Sequence, residues 1–284
     1  MTGKRTFGGI PADYAGFAEA TVLLQPLLYD GTSTWGKGAD QGYAAFLEAT
    51  DNMELYDIET GTEVYRRGIH LLPPRTGFGS PEEMYRDTLN CTRELLATGK
   101  FLTCFGGEHS VSIGVIEAFD EHYPGLSVLQ IDAHTDLRPE YLGSPYNHAC
   151  ALHAASQRGN LVQVGIRSMD ASEVEYVQPD NCFYMHELRR DTYWMDRAVS
   201  RLHDPVYLTL DLDALDPSIM PATGTPEPGG LLWYELLAFL RKVFTEREVV
   251  GFDMVELAPV DGLHAPQFLA AKLYYKMLTY KFEL

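Results

Sequence analysis

Residues 129–137 read LQIDAHTDL, an apolar run that ends in Asp132, His134 and Asp136, separated by Ala133 and Thr135. On an extended chain, residues two apart face the same side. Two carboxylates and an imidazole therefore converge just past the strand-like stretch LSVLQI. Three other apolar runs end comparably: FLTCFGGEHS reaches Glu108 and His109, PVYLTLDLDALD reaches Asp211 and Asp213, and VVGFDMVELAP reaches Asp253 and Glu256. Taken singly, each has an ordinary explanation, because a D-x-D pair commonly makes a turn or a helix cap. Taken together they need a charge to hold them, since clustered buried carboxylates repel and lose hydration at about several kcal/mol per ion. Asp132, Asp136, Asp211 and Asp213 with His109 and His134 make four carboxylates and two imidazoles with no thiolate. That hard donor set suits Mn²⁺-type ions and is large enough for two of them. Two divalent ions about 3.5–4 Å apart, bridged by carboxylates and a hydroxide, generate a nucleophile at neutral pH, so the chemistry implied is metal-assisted hydrolysis.

The elements that would position these groups alternate along the chain. Strands are expected at 20–28, 68–74, FLTCFGG, GLSVLQID, 160–166, 181–185, 205–213 and 248–257, and helices at 39–53, 80–99, SVSIGVIEAFDEHY and near 264–281. The helix at 80–99 opens on Ser80 with Glu83 three residues later, a capping-box pattern, and closes on Gly99. Strands apolar on both faces and separated by helices predict an α/β protein with a parallel sheet covered on both sides. Ligands in such sheets sit beyond the carboxyl ends of the strands, where all four clusters fall. There is no Pro/Ser-rich linker, repeat or low-complexity segment, so residues 1–284 are expected to form a single domain.

Composition narrows the class of partner. The 22 basic and 40 acidic residues give a net charge of −18, which argues against nucleic acid and anionic membrane surfaces and permits a cationic substrate. The stretch MTGKRTFGGIPADYAG lacks the apolar core of a signal peptide. No window approaches the run of about 18 apolar residues that a membrane span needs. Cys91, Cys104, Cys150 and Cys182 have no CxxC spacing and read as reduced thiols of a cytoplasmic protein.

FGGEHS, IDAHTDL, LDLDALDPSIMPATGTPEPGGL and GFDMVELAP, in that order from about residue 106 to 259, resemble the ureohydrolase family of arginases and agmatinases; YDGTSTWGKGADQGYAAF is similar to the family's N-terminal region. The resemblance implies a three-layer α/β/α fold with a central, mostly parallel eight-stranded sheet, two Mn²⁺ per subunit, and hydrolysis of a guanidino group to urea and an amine. By the same resemblance, His109 and Asp136 bind one manganese, His134 and Asp213 the other, and Asp132 and Asp211 bridge both. Asp136 also hydrogen-bonds the bridging hydroxide and passes a proton to the leaving amine. Glu256 pairs with the substrate guanidinium, His148 in YNHAC shuttles protons, and Gly224 and Thr225 in ATGTP shape the floor. Glu108 and Asp253 are expected to support the ligands without binding metal. A homo-oligomer, trimer or hexamer, is also implied.

Independent chemistry agrees with these roles: a guanidinium carbon is a poor electrophile that needs a strong nucleophile and firm positioning, and a carboxylate matches a guanidinium in bidentate geometry. The family's arginases carry an SGNxHG-like loop for the substrate carboxylate, whereas this chain has LRPEYLGSPYNHACALH. With VGIRSMD and TPEPGGL, that stretch looks like the agmatinase branch, implying agmatine as substrate and putrescine, a polyamine, as product. Arg138 is expected to be structural or interfacial. LLQPLLYDG and GKGADQGY depart from the family's usual versions, which leaves substrate choice open among agmatine, arginine, 4-guanidinobutyrate and 3-guanidinopropionate. A metal-binding protein without turnover, or hydrolysis of a formimino or acetylated amine, are the other readings.

Overall fold

The computed structural model describes residues 5–284. Its centre is one eight-stranded sheet: β1 (Val22–Leu27), β2 (Ile69–Leu71), β3 (Phe101–Gly106), β4 (Ser127–Ile131), β5 (Asn160–Ile166), β6 (Cys182–Tyr184), β7 (Val206–Asp211) and β8 (Val249–Val255). The spatial order is β2-β1-β3-β8-β7-β4-β5-β6. Every ladder is parallel, so the expected sheet is parallel throughout and not merely for the most part. All eight strands fall within the stretches anticipated from sequence.

Alternation along the strands divides the apolar residues between two faces. Val206, Leu208 and Leu210 of β7 pack in one layer with helices α1 (Gly42–Thr50), α4 (Trp233–Glu246) and α5 (Ala265–Glu283), whereas Tyr207 packs in the other with α2 (Pro81–Leu96) and α3 (Ser112–His122). The result is the three-layer α/β/α sandwich. Helix α2 begins where expected: Ser80 Oγ accepts from Glu83 N–H at 3.1 Å. The reciprocal half of the capping box is displaced, because the Glu83 carboxylate takes the N–H of Gly79, not that of Ser80.

The connection from β1 to α1 lies close to the segment after β7. A Cβ on Gly36 would come within 2.7 Å of the Gly224 carbonyl oxygen, so only glycine lets these backbones approach, and Gly36 N–H donates to that oxygen. Arg167, just beyond β5, clips a second set of loops. Its guanidinium donates to the carbonyls of Gly165, Asp213 and Glu227. The four central strands β3, β8, β7 and β4 thereby present their carboxyl ends to a single crevice, edged by backbone that is tied down from both sides.

Candidate active site

The crevice holds a cavity of about 250 Å³ lined by His109, His134, Asp136, His148, Asp211, Asp213, Thr225 and Glu256, together with Thr34, Arg138 and Tyr141. Asp132 lies among the ligand-type groups with His109 and His134, and a Cβ added to Gly224 would meet Glu256 Oε2 at 3.5 Å. All ten residues singled out from the sequence are therefore brought together.

The local chain explains how. Asp132 follows β4 directly, is fully buried, and accepts hydrogen bonds from His134 N–H and the Gln130 side chain. Asp211 ends β7, and its Oδ1 caps the turn that carries Asp213 by accepting Asp213 N–H at 2.8 Å. Asp213 in turn accepts Ala133 N–H, joining the two strand ends. Asp136 and Glu256 are non-glycine residues at positive φ, 52° and 68°. Such conformations cost about 1–3 kcal/mol and persist where surrounding structure imposes them. At Glu256 the restraint is visible: its N–H donates to Gly107 O and its Oε1 accepts His109 N–H at 2.7 Å.

Two groups of ligand-type atoms, His109–Asp132–Asp211 and Asp132–His134–Asp213, each lie within 4.8 Å of one another and share Asp132. His109 Nδ1 is 3.0 Å from both Asp132 Oδ2 and Asp136 Oδ2 and 3.4 Å from Asp211 Oδ2. His134 Nδ1 is 3.0 Å from Asp213 Oδ2. The far side of His109 is equally specified. Thr209 Oγ1 donates to Asp253 Oδ1 at 2.6 Å, so toward His109 Nε2, 2.9 Å away, it can only accept. In the neutral ring Nε2 then carries the proton and Nδ1 turns a lone pair toward three carboxylates, a place that a proton fills when no cation is bound. Lone pairs converging on lone pairs need a cation between them. The donor set and this orphaned nitrogen fit a metal pair held by His109, Asp132, Asp136, His134, Asp211 and Asp213.

The titration tendencies report the same excess of negative charge. Burial, then Asp132, raises Asp136 to about 7. Burial, then Asp213 and Asp132, pushes Asp211 well above the carboxylate range. Burial, then Glu108, does so for Glu256. His109 and His134 lose by burial but gain more from the facing aspartates, and both rise well above the usual histidine value. His148 moves the other way, lowered by burial and by His134 despite the charge of Glu108.

Three placements differ from the sequence expectation or were absent from it. Asp253 supports a ligand through Thr209, as expected, but the Glu108 carboxylate touches none: it binds Thr32, Ser33 and Ser110. Arg138, expected to be structural or interfacial, makes structural contacts and also lines the cavity. It is stacked 4.3 Å over Tyr141, with Asp170 at 3.6 Å and Glu173 at 3.8 Å. Thr32 and Thr34, in the loop after β1, reach the site unheralded by any charged motif.

Residues 20–279 match the arginase family model. The chain is 35% identical over 275 residues to an N(1)-aminopropylagmatine ureohydrolase of Synechocystis, covering 93% of this chain and 90% of that one. It is 38% identical over 271 residues to the protein of the same name from Thermus thermophilus, covering 94% and 92%. Among solved structures, the agmatine ureohydrolase of Thermoplasma volcanium superposes with a TM-score of 0.87 at 26% identity, covering 100% of this chain and 96% of that one. The chain belongs to the arginase family and stands with its agmatinase-type ureohydrolases, hydrolases of guanidino C–N bonds.

Proposed function

We propose that this enzyme hydrolyses the guanidinium of agmatine to urea and putrescine, with two Mn²⁺ per subunit. The observation that carries the reading is Glu256, a buried carboxylate facing the cavity beside both ligand groups, with no lysine or arginine paired to it among the described residues. A guanidinium bound there supplies the missing charge in bidentate geometry. When bound, the cation pair neutralises the carboxylates and lowers the pKa of water, supplying the nucleophile. The hard oxygen and nitrogen donors favour manganese over softer ions.

The chain's own residues supply the rest. Glu256 orients the guanidinium carbon above the ligand groups, and Gly224 and Thr225 form the floor that limits its depth. Asp136 takes the proton of the attacking water and hands it to the leaving nitrogen. His148, which lines the same cavity, returns a proton to the released amine, which leaves as an ammonium. Arg138 disfavours guanidino acids as much as it invites them, because a substrate carboxylate would have to displace Asp170, Glu173 and Tyr141 from it. A substrate with a cationic tail meets no such competition.

A second reading has a specific basis. The Synechocystis and Thermus relatives are named for N(1)-aminopropylagmatine, a longer polycation, and the half-exposed Asp170 stands at the cavity wall to meet an extra ammonium. Urea release from the Mn²⁺-loaded protein decides the matter, with agmatine, N(1)-aminopropylagmatine, arginine, 4-guanidinobutyrate and 3-guanidinopropionate compared by kcat/KM. Agmatine fastest supports the proposal, aminopropylagmatine fastest moves the assignment to the longer amine, and no urea from any of them overturns both.

The proposal extends to one domain over 1–284, a cytoplasmic setting and a homo-oligomer of three or six subunits. The four free buried cysteines support the setting, and the exposed Tyr56, Ile58 and Tyr234 support association. No helix among the described residues is long and apolar enough to cross a membrane. Light scattering of the purified chain tests the subunit number.

A further inference from the structure

The loop after β1 carries Thr32, whose hydroxyl is at the centre of a chain of hydrogen bonds running from a buried carboxylate to His148. Five donors converge on Glu108: Oε1 accepts from Thr32 Oγ1 at 2.5 Å and Ser110 Oγ at 2.7 Å, and Oε2 accepts from Thr32 N–H, Ser33 N–H and Ser33 Oγ at 2.7, 2.6 and 3.0 Å. On its other side Thr32 Oγ1 accepts His148 N–H at 3.0 Å and lies 3.2 Å from His148 Nδ1.

Counting protons settles who donates. A threonine hydroxyl has one proton and two lone pairs, and a carboxylate engaged by five donors can only accept. The Thr32 proton is therefore committed to Glu108, since turning it toward His148 would leave two oxygens 2.5 Å apart with no hydrogen between them. With its proton spent, Thr32 Oγ1 can only accept from Nδ1, so Nδ1 must hold a hydrogen. In a neutral imidazole the other nitrogen then bears the lone pair. Nε2 has no protein partner among the described residues, and the ring lines the cavity.

We infer that Thr32, backed by Glu108, is a positioning residue that holds neutral His148 as the Nδ1–H tautomer and leaves Nε2 as the nitrogen that takes up and delivers protons in the cavity. The inference rests on the reading of His148 as the group that protonates the leaving amine. Without the threonine, the ring can hold its proton on Nε2, and such a ring cannot accept a proton there from solvent. The same hydroxyl also fixes ring rotation, since it grips both the backbone N–H and Nδ1 of one residue. The connection spans loops far apart in sequence: Thr32 is 76 residues from Glu108 and 116 from His148.

The test is the ¹⁵N spectrum of the histidine rings in the full-length chain, loaded with diamagnetic Mg²⁺, with His148 assigned by comparison with His148→Ala. Wild type is expected to show His148 protonated at Nδ1 in its neutral form; an Nε2–H ring there overturns the inference without any further variant. Thr32→Val is expected to shift the ring toward Nε2–H and to lower kcat about 10- to 100-fold with a much smaller change in KM. Thr32→Ser, which keeps the hydroxyl, is expected to retain the wild-type tautomer and most of the rate. A Thr32→Val chain that keeps the Nδ1–H signature, or a Thr32→Ser chain as slow as Thr32→Val, contradicts the positioning role. His148→Ala separates the two layers of the argument: full urea release from it removes the proton-transfer reading, whatever the tautomer proves to be.

Discussion

Asp211 and Glu256 stand within one cavity, yet their carboxylates ask for different partners. Asp211 Oδ2 points toward the lone pair of His109 Nδ1, and its other oxygen caps the turn that holds Asp213. Asp211→Asn keeps the cap through the amide oxygen but removes a negative charge from the ligand group. The expected result is loss of bound metal, read by atomic emission after gel filtration, and turnover down by about two orders of magnitude or more. Retention of both metals and rate would remove Asp211 from the ligand set. Glu256→Gln leaves the ligand groups intact and takes away the charge proposed to face the guanidinium. Both metals should remain, while kcat/KM falls by a factor corresponding to about 3 kcal/mol of transition-state stabilisation. An unchanged kcat/KM would mean that the guanidinium binds elsewhere.

Elements deliver these residues, and at this scale the sequence is informative for a physical reason. A strand buried on both faces reads as a continuous apolar run, so its end is visible where acids begin, and a two-residue spacing states that the acids share a side. VYLTLDLDALD shows both features, and the structure places β7 and its acids accordingly. Loops obey no such rule. Nothing in VGIRSMD reveals that Arg167 clips two distant segments by the carbonyls of Asp213 and Glu227, and nothing in YDGTSTWGKG marks Thr32, because each depends on partners brought near only by the finished fold. The place of Arg138 in the cavity wall is hidden for the same reason, its neighbours Asp170 and Glu173 lying on another loop.

One loop does carry its own signal. Asp216 gathers the N–H groups of Ser218, Gly229 and Gly230, pinning the ends of the segment that contains Gly224 and Thr225. Those bonds hold its carboxyl at about 2, below its ordinary 3.8, with the Ser218 hydrogen bonds as the largest cause. A depressed folded-state pKa contributes stability that is fully present above 3.8 and lost as pH falls toward 2. Asp216→Asn should thus lower the urea midpoint relative to wild type at pH 5, with the difference closing between pH 4 and 2. A gap that stays constant over that window would show that the charge of Asp216 is irrelevant to the loop.

The whole molecule carries a net charge of −18, and its centre concentrates the problem. Without cations, burial and mutual repulsion make Asp136, Asp211 and Glu256 hold protons more tightly than they would in an unfolded chain, and the aspartates do the same for His109 and His134. For the carboxyls the sign is opposite to that of Asp216. The native state binds more protons than the unfolded one, so stability of the unloaded protein falls as pH rises from 3.8 through the value of about 7 at Asp136. The histidines act in the same direction, since a raised folded-state value stabilises below 6.5 and is lost as pH climbs through it. Divalent cations replace those protons, which makes loading a proton-releasing reaction. The increase in Tm on adding Mn²⁺ to the chelator-stripped protein should accordingly grow from pH 5 to pH 8. At pH 6 the calorimetric enthalpy of loading should depend on the ionisation enthalpy of the buffer, with protons passing to it. An increment that shrinks as pH rises, or a loading enthalpy identical in all buffers, would mean that the cluster does not exchange protons for metal. The repulsion built into these strand ends would then be relieved by the protein alone, and the case for a cation pair would rest on the donor set without its electrostatics.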